Sequence, residues 1–234
     1  MQPHIPQSIE VLFILLTFSL LAITVFFVKR ITGERKTTMK VFLAIFFWLS
    51  FLKIISGMDF FHDYESMPPR LFIAPLGCFI AIAILAFSKT FSSFLKSVPM
   101  HWLVYIQAFR IVMELILYLL AENGVIHERM TFKGMNFDIL AGISALAVGW
   151  MVKQNKISKA WLLTWNFVCI GLLLNIVSIA ALSTPYPFSI FKDEPVNTVI
   201  FYYPFVWLPG FVAPYALAMH VFTIKKAVEN KNQR

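Results

Sequence analysis

Charge is scarce in this chain. Asp, Glu, Lys and Arg together make up 14% of its 234 residues, and there are only two cysteines, Cys78 and Cys169. Both fall in apolar stretches. Two such cysteines exclude a disulfide framework and a thiolate metal cage, and they read as small core residues. Long runs of Gly, Ser or charge are also missing, so the sequence offers no linker or tail and reads as one domain over residues 1–234. There is no internal repeat, which argues against an inverted-repeat transporter built by duplication. Met1 to Glu10 lacks a basic stretch, and no small-residue cleavage site precedes Lys29. The first apolar segment is therefore expected to stay as an anchor.

Apolar residues are abundant, at 59% of the chain with a mean hydropathy of +0.75. A soluble domain of ordinary composition holds about 45–50%. The apolar residues come in long blocks between short charged stretches, so lipid is the expected solvent. Backbone groups in hydrocarbon must be satisfied within their own segment, which makes the blocks helices. The predicted fold is an all-α polytopic bundle of seven spans, at residues 11–28, 41–58, 71–88, 102–121, 138–152, 160–182 and 196–224. The fifth is the shortest. The last carries Pro204, Pro209 and Pro214, each of which removes a helix hydrogen bond, so it is expected to be kinked or locally unwound.

Fourteen basic residues fall on one side of these spans: Lys29, Arg30, Arg35, Lys36, Lys40, Lys89, Lys96, Lys153, Lys156, Lys159, Lys225, Lys226, Lys231 and Arg234. Four fall on the other, namely Arg70, Arg129, Lys133 and Lys192. The positive-inside rule then predicts an outer amino terminus and a cytoplasmic carboxyl terminus. The net charge of +8 is explained by this topology and by anionic headgroups, so no nucleic-acid partner is expected. Aromatic residues near the span ends, among them Trp102, Trp150, Trp161, Tyr202 and Tyr203, suit interfacial belts. Phe, Ile and Lys usage suits an AT-rich bacterial source, and the expected location is a bacterial inner membrane.

The few ionisable residues within the spans are the candidate site. Gln107, Arg110, Glu114 and Tyr118 share one face of the fourth span, and Arg110 and Glu114 are spaced to pair at i, i+4. A charge at mid-bilayer costs about 2.5–3.5 kcal/mol on insertion scales, so these residues should point inward. Lys53 and Glu114 each lie 12 positions from the inner start of their spans, or about 18 Å up at ~1.5 Å per residue. Asp138 falls slightly higher. Lys53, Arg110, Glu114 and Asp138 are therefore expected to form a buried, nearly neutral network, lined by Gln107 and Asn175 and serving as a ligand site or proton relay. Ala141, Ala145 and Gly149 form a small-residue stripe, read as an internal packing seam with a homodimer contact as the alternative.

Other motifs are weaker. His62 and His127 sit near outer carboxylates and are the only metal candidates, with no zinc-type spacing; no cofactor is implied. His101 and His220 are placed to approach each other from the inner side, although a haem pair would need deeper ligands. The last span has no lysine for a retinal Schiff base. Gly142-Ile143-Ser144-Ala145 resembles only the first half of the Gly-x-Ser-Gly of rhomboid-like proteases, with His220 as the base that resemblance implies. The favoured function is translocation of a small solute, ion or proton. The alternatives are a sensory or accessory subunit binding a partner protein, and a membrane-embedded enzyme, for which no specific catalytic motif is present. Topology is open to direct measurement: reporters inserted after Lys156 should read as cytoplasmic and reporters after Glu128 as external, and the reverse pattern would overturn the charge argument.

Overall fold

The computed structural model describes residues 3–229, all-helical with no strand among them. Lys231 and Arg234, two of the basic residues counted above, lie outside the described residues. The long first helix α1 (Gln7–Thr32) stops at Gly33, whose φ of 67° places it in the left-handed region and lets its N–H reach Lys29 O. This turn feeds α2 (Arg35–Gly57) directly. A turn at Arg70–Phe72 leads into α3 (Ile73–Phe87). Ser88 then ends α3 and, with its side chain accepting from Phe91 N, starts α4 (Lys89–Ser97).

The sequence reading did not anticipate α4, a short amphipathic helix that buries Leu95 and packs the Phe91 ring at a tilt against Phe222. Lys226 caps its last turn by donating to Leu95 O and Lys96 O at 2.6 and 2.7 Å. A cation there meets both the unpaired carbonyls and the negative end of the helix dipole.

The fourth span is interrupted. It consists of α5 (Met100–Tyr105), a 3-10 turn at Ile106–Ala108 and α6 (Phe109–Glu122). The fifth and sixth correspond to α7 (Ile139–Lys153) and α8 (Lys159–Leu182), the latter capped by Ser158. Five helical segments have the length and apolarity to cross a membrane: α1, α2, Arg70–Phe87, Met100–Glu122 and α8. The chain is accordingly a multi-pass membrane protein. Their outer faces carry exposed Leu15, Phe47, Ile54, Ile84 and Phe167, as lipid contact requires. α7 is apolar but shorter.

The last span departs from the sequence reading. Residues 196–207 form turns around a short 3-10 segment, Val199–Phe201. Helix begins only with a π turn at Leu208–Val212 and continues as α9 (Ala213–Glu229). Pro204 lies in the turn region before the helix and kinks nothing. Pro209 sits inside the π turn and Pro214 just after it. Pro214 has no N–H to offer Gly210 O, its partner four residues back. That carbonyl is instead taken by Trp48 Nε1 of α2 at 2.8 Å and Cys78 Sγ of α3 at 3.0 Å. The unwound segment is thus stitched to two neighbouring helices.

α9 is the hub, with α3, α4, α5 and α8 packed against it. α7 packs on α5 and α6 through the small-residue stripe: Ala141, Ala145 and Gly149 are buried within the chain. A Cβ on Gly149 would lie 2.6 Å from the Tyr105 ring, and one on Gly142 would lie 2.9 Å from the backbone N of Ile111. In the loops between the helices, Arg129 pairs with Asp193 and stacks over Phe191. The Arg129 hydrogen bond holds the Asp193 carboxyl below its usual range. That link is present at neutral pH and is lost as the pH falls through the lowered value. The α6–α7 contact can be tested by thermal unfolding in detergent. Gly142→Val should lower stability by about 1–3 kcal/mol through overpacking, whereas Gly171→Ala, which meets nothing within 4 Å, should be neutral or stabilising.

Candidate functional site

Arg110 on α6 is 1% exposed and is the centre of the polar interior. Its guanidinium grips Asp138 with two nitrogens: Nε donates to Oδ2 at 2.6 Å and the terminal Nη2 pairs with Oδ1. The same Nη2 donates to Cys169 O on α8 at 3.3 Å, and Nη1 lies 3.1 Å from His220 Nε2 on α9. One side chain therefore joins α6, the start of α7, α8 and α9. The planar five-donor fork of arginine allows this, and lysine could not reproduce it.

The tautomer of His220 follows from its neighbours. Asn166 on α8 donates its amide to Leu162 O at 2.7 Å, so its Oδ1 is free to accept. His220 Nδ1 lies 2.8 Å from that oxygen and must be the donor. Nε2 is then left as the acceptor for Arg110. Among the described residues, no hydroxyl or thiol is hydrogen-bonded to a histidine. Ser144 instead accepts from Trp165 Nε1 and donates to Ala141 O. No Ser144–His220 pair exists to support the rhomboid-like comparison.

Glu114 does not make the i, i+4 pair with Arg110. Both of its oxygens lie 2.7 Å from the amide nitrogen of Asn136, which also donates to Met130 O. The Asn136 carbonyl oxygen accepts from Asp138 N at 2.9 Å, an Asx turn at the start of α7. Asn136 is fully buried, and the compact loop between α6 and α7 holds it there: Gly134 approaches Arg129 so closely that a Cβ would lie 2.5 Å from its Cα. The result is a continuous chain of contacts running Asn166, His220, Arg110, Asp138, Asn136, Glu114.

Of the residues expected at the site, Arg110, Glu114 and Asp138 come together. Gln107 is buried one turn away and donates to Ala216 O of α9, tying the 3-10 turn to the hub. Lys53 is not part of the network. It is exposed, with its ammonium 4.5 Å from the centre of the Tyr203 ring, because its long stem carries the charge out of the bundle. Asn175 also stands apart, donating to Met135 O. Tyr118 lies near the C-terminal end of α6 beside the Lys133–Glu122 pair. His62 rests against Tyr202 and Asp59, and His127 accepts from Arg129 N. No group of three ligating side chains gathers among the described residues. His101 sits beside Trp102 and Tyr105 and does not meet His220.

Beside the network lies a cavity of about 520 Å³, within the range of small-molecule sites. Its walls come from the start of α3, from α6, from α8 and from the π turn with α9. They are almost entirely carbon, and Arg110, Glu114 and Asp138 supply the charge. Phe72, Leu76 and Phe79 on one side and Leu174 and Val177 on the other line the cavity and are also exposed. It therefore opens between α3 and α8 onto the apolar outer surface.

Comparison with protein-family models, curated proteins and solved structures finds no match for this chain. The site must speak through its chemistry. Arg110 and Asp138 neutralise each other, whereas Glu114 has an amide as its partner and no cation in hydrogen-bond contact. Three residues of the chain, Asn136, Asn166 and His220, escaped the sequence reading as members. The Asn136-x-Asp138 spacing ahead of an apolar helix is the local signal for the first. The other two are single polar residues on apolar helices, and only tertiary packing brings them to Arg110.

The ion pair makes a sharp energetic prediction. Arg110→Met should cost about 3–5 kcal/mol by leaving Asp138 buried and uncompensated. Pairing it with Asp138→Leu should restore much of that loss, and unfolding titrations of the two single variants and the double variant read the coupling directly. Independent, additive losses would mean that the two charges do not depend on each other.

Proposed function

We propose that this multi-pass membrane protein translocates a small amphipathic solute, held in the cavity with its polar end toward Arg110, Asp138 and Glu114. The observation that carries this reading is the presence of three buried ionisable side chains on the wall of an otherwise apolar cavity of about 520 Å³. Charged groups inside a membrane protein are expensive, and they are retained mainly where they meet a solute or a proton.

The composition of the wall favours an amphipathic solute over a hydrated ion. An ion leaving water needs a ring of oxygens to replace its hydration shell, and these walls do not supply one. The Arg110–Asp138 pair serves as a fixed polar wall, and Glu114 is the group that meets the solute. Leu208, Pro209 and Val212 of the π turn line the same cavity. Unwound segments of this kind are tolerated in membranes where they border a cavity, and in transporters they accompany the binding site.

Liposomes containing fluorescent single-chain probes with amine, hydroxyl or carboxylate heads provide the test. A membrane-impermeant quencher then reports movement between leaflets. The reconstituted protein should speed at least one head class tenfold or more over protein-free liposomes. Ala181→Trp, which fills the cavity from α8, should return that rate to background while thermal unfolding shows the variant folded. Equal rates with and without the protein for every probe would refute the proposal.

A further inference from the structure

The position of the cavity mouth and the uneven charge inside it specify the class of solute, an inference that rests on the cavity being the solute site. We propose that the ligand is a single-chain amphiphile with a primary-amine head, taken from the surrounding lipid between α3 and α8 and held by an ion pair with Glu114.

The route follows from exposure. Phe72, Leu76 and Phe79 belong to the α3 side, and Leu174 and Val177 to α8; each lines the cavity while also facing the apolar exterior. α3 and α8 flank α9, and the π turn and α9 close the back of the cavity through Val212, Ala213 and Leu217. A molecule already dissolved in the bilayer meets this opening without crossing water. An alkyl chain finds carbon on every side.

The head group follows from the imbalance of charge. Arg110 is largely committed: four of its five N–H groups are engaged by the two Asp138 oxygens, His220 and Cys169 O. It is committed to neutralising Asp138 and is not hydrogen-bonded to Glu114. Glu114 is 1% exposed and is one of the residues lining the cavity, and its carboxyl has only the Asn136 amide as a hydrogen-bond partner. A carboxylate has about four acceptor positions, so about two remain open. An ammonium brings three donors and the missing positive charge, whereas a carboxylate head would add a second negative charge in a low-dielectric site.

Photolabelling of the full chain in lipid nanodiscs tests this, using a diazirine-bearing dodecylamine and locating the label by peptide mass spectrometry. Label should concentrate on the cavity peptides of α3, α8 and α9. Unlabelled dodecylamine should compete at least tenfold more strongly than dodecanol or laurate, and Glu114→Gln should erase that preference while cavity labelling by the chain persists. Val177→Trp, placed at the exposed mouth, should reduce labelling by all three head classes. Cavity labelling that laurate competes as well as the amine does, or a preference untouched by Glu114→Gln, overturns the amine assignment and leaves the translocation reading standing. Label spread evenly over the lipid-facing surface overturns both.

Discussion

The interior of this protein is organised around the contact between the Arg110 guanidinium and the Asp138 carboxylate. Both groups are out of reach of water, and each alone would be a severe liability in the membrane. Their mutual dependence fixes the relation of α6 to the start of α7. The remaining guanidinium donors extend the constraint to α8 and α9. Close approach is a precondition for this geometry. Gly142 lets α7 lie against the backbone of α6 next to Arg110, and Ala141 and Ala145 keep the seam narrow. The small-residue stripe and the ion pair are two halves of one packing solution.

The membrane class and most helices were legible in the sequence because hydropathy and helix length report directly on the solvent. The three-four spacing of Gln107, Arg110 and Glu114 likewise identified a buried face, since a charged residue on an apolar helix has one tolerable direction. Partner choice was not legible. The i, i+4 spacing offered Arg110 a local carboxylate in Glu114, yet the bidentate geometry available at Asp138 won. Lys53 misled for the opposite reason: its flexible stem decouples the position of the backbone from that of the charge.

The last span shows a different limit. A hydropathy window sees residues 196–224 as one apolar block, but apolarity does not guarantee helix where prolines recur. Residues 196–207 instead form turns packed against Tyr64 and Tyr186, with Phe201 fully buried among them. The helix starts only where Trp48 and Cys78 can accept responsibility for the carbonyl that Pro214 leaves unpaired. Such compensation involves residues more than a hundred positions away, which no local reading of the sequence contains.

Asn136 sits outside every helix, yet its single amide group touches both acidic residues of the interior. Its oxygen secures the first turn of α7 at Asp138 while its nitrogen restrains Glu114. Because one rigid planar group holds both, rotating it to release Glu114 also removes the acceptor from Asp138 N. The loop that carries Asn136 is therefore mechanically geared to the polar interior: whatever pulls on that loop is felt at once by the Glu114 carboxyl and by the first turn of α7 at Asp138.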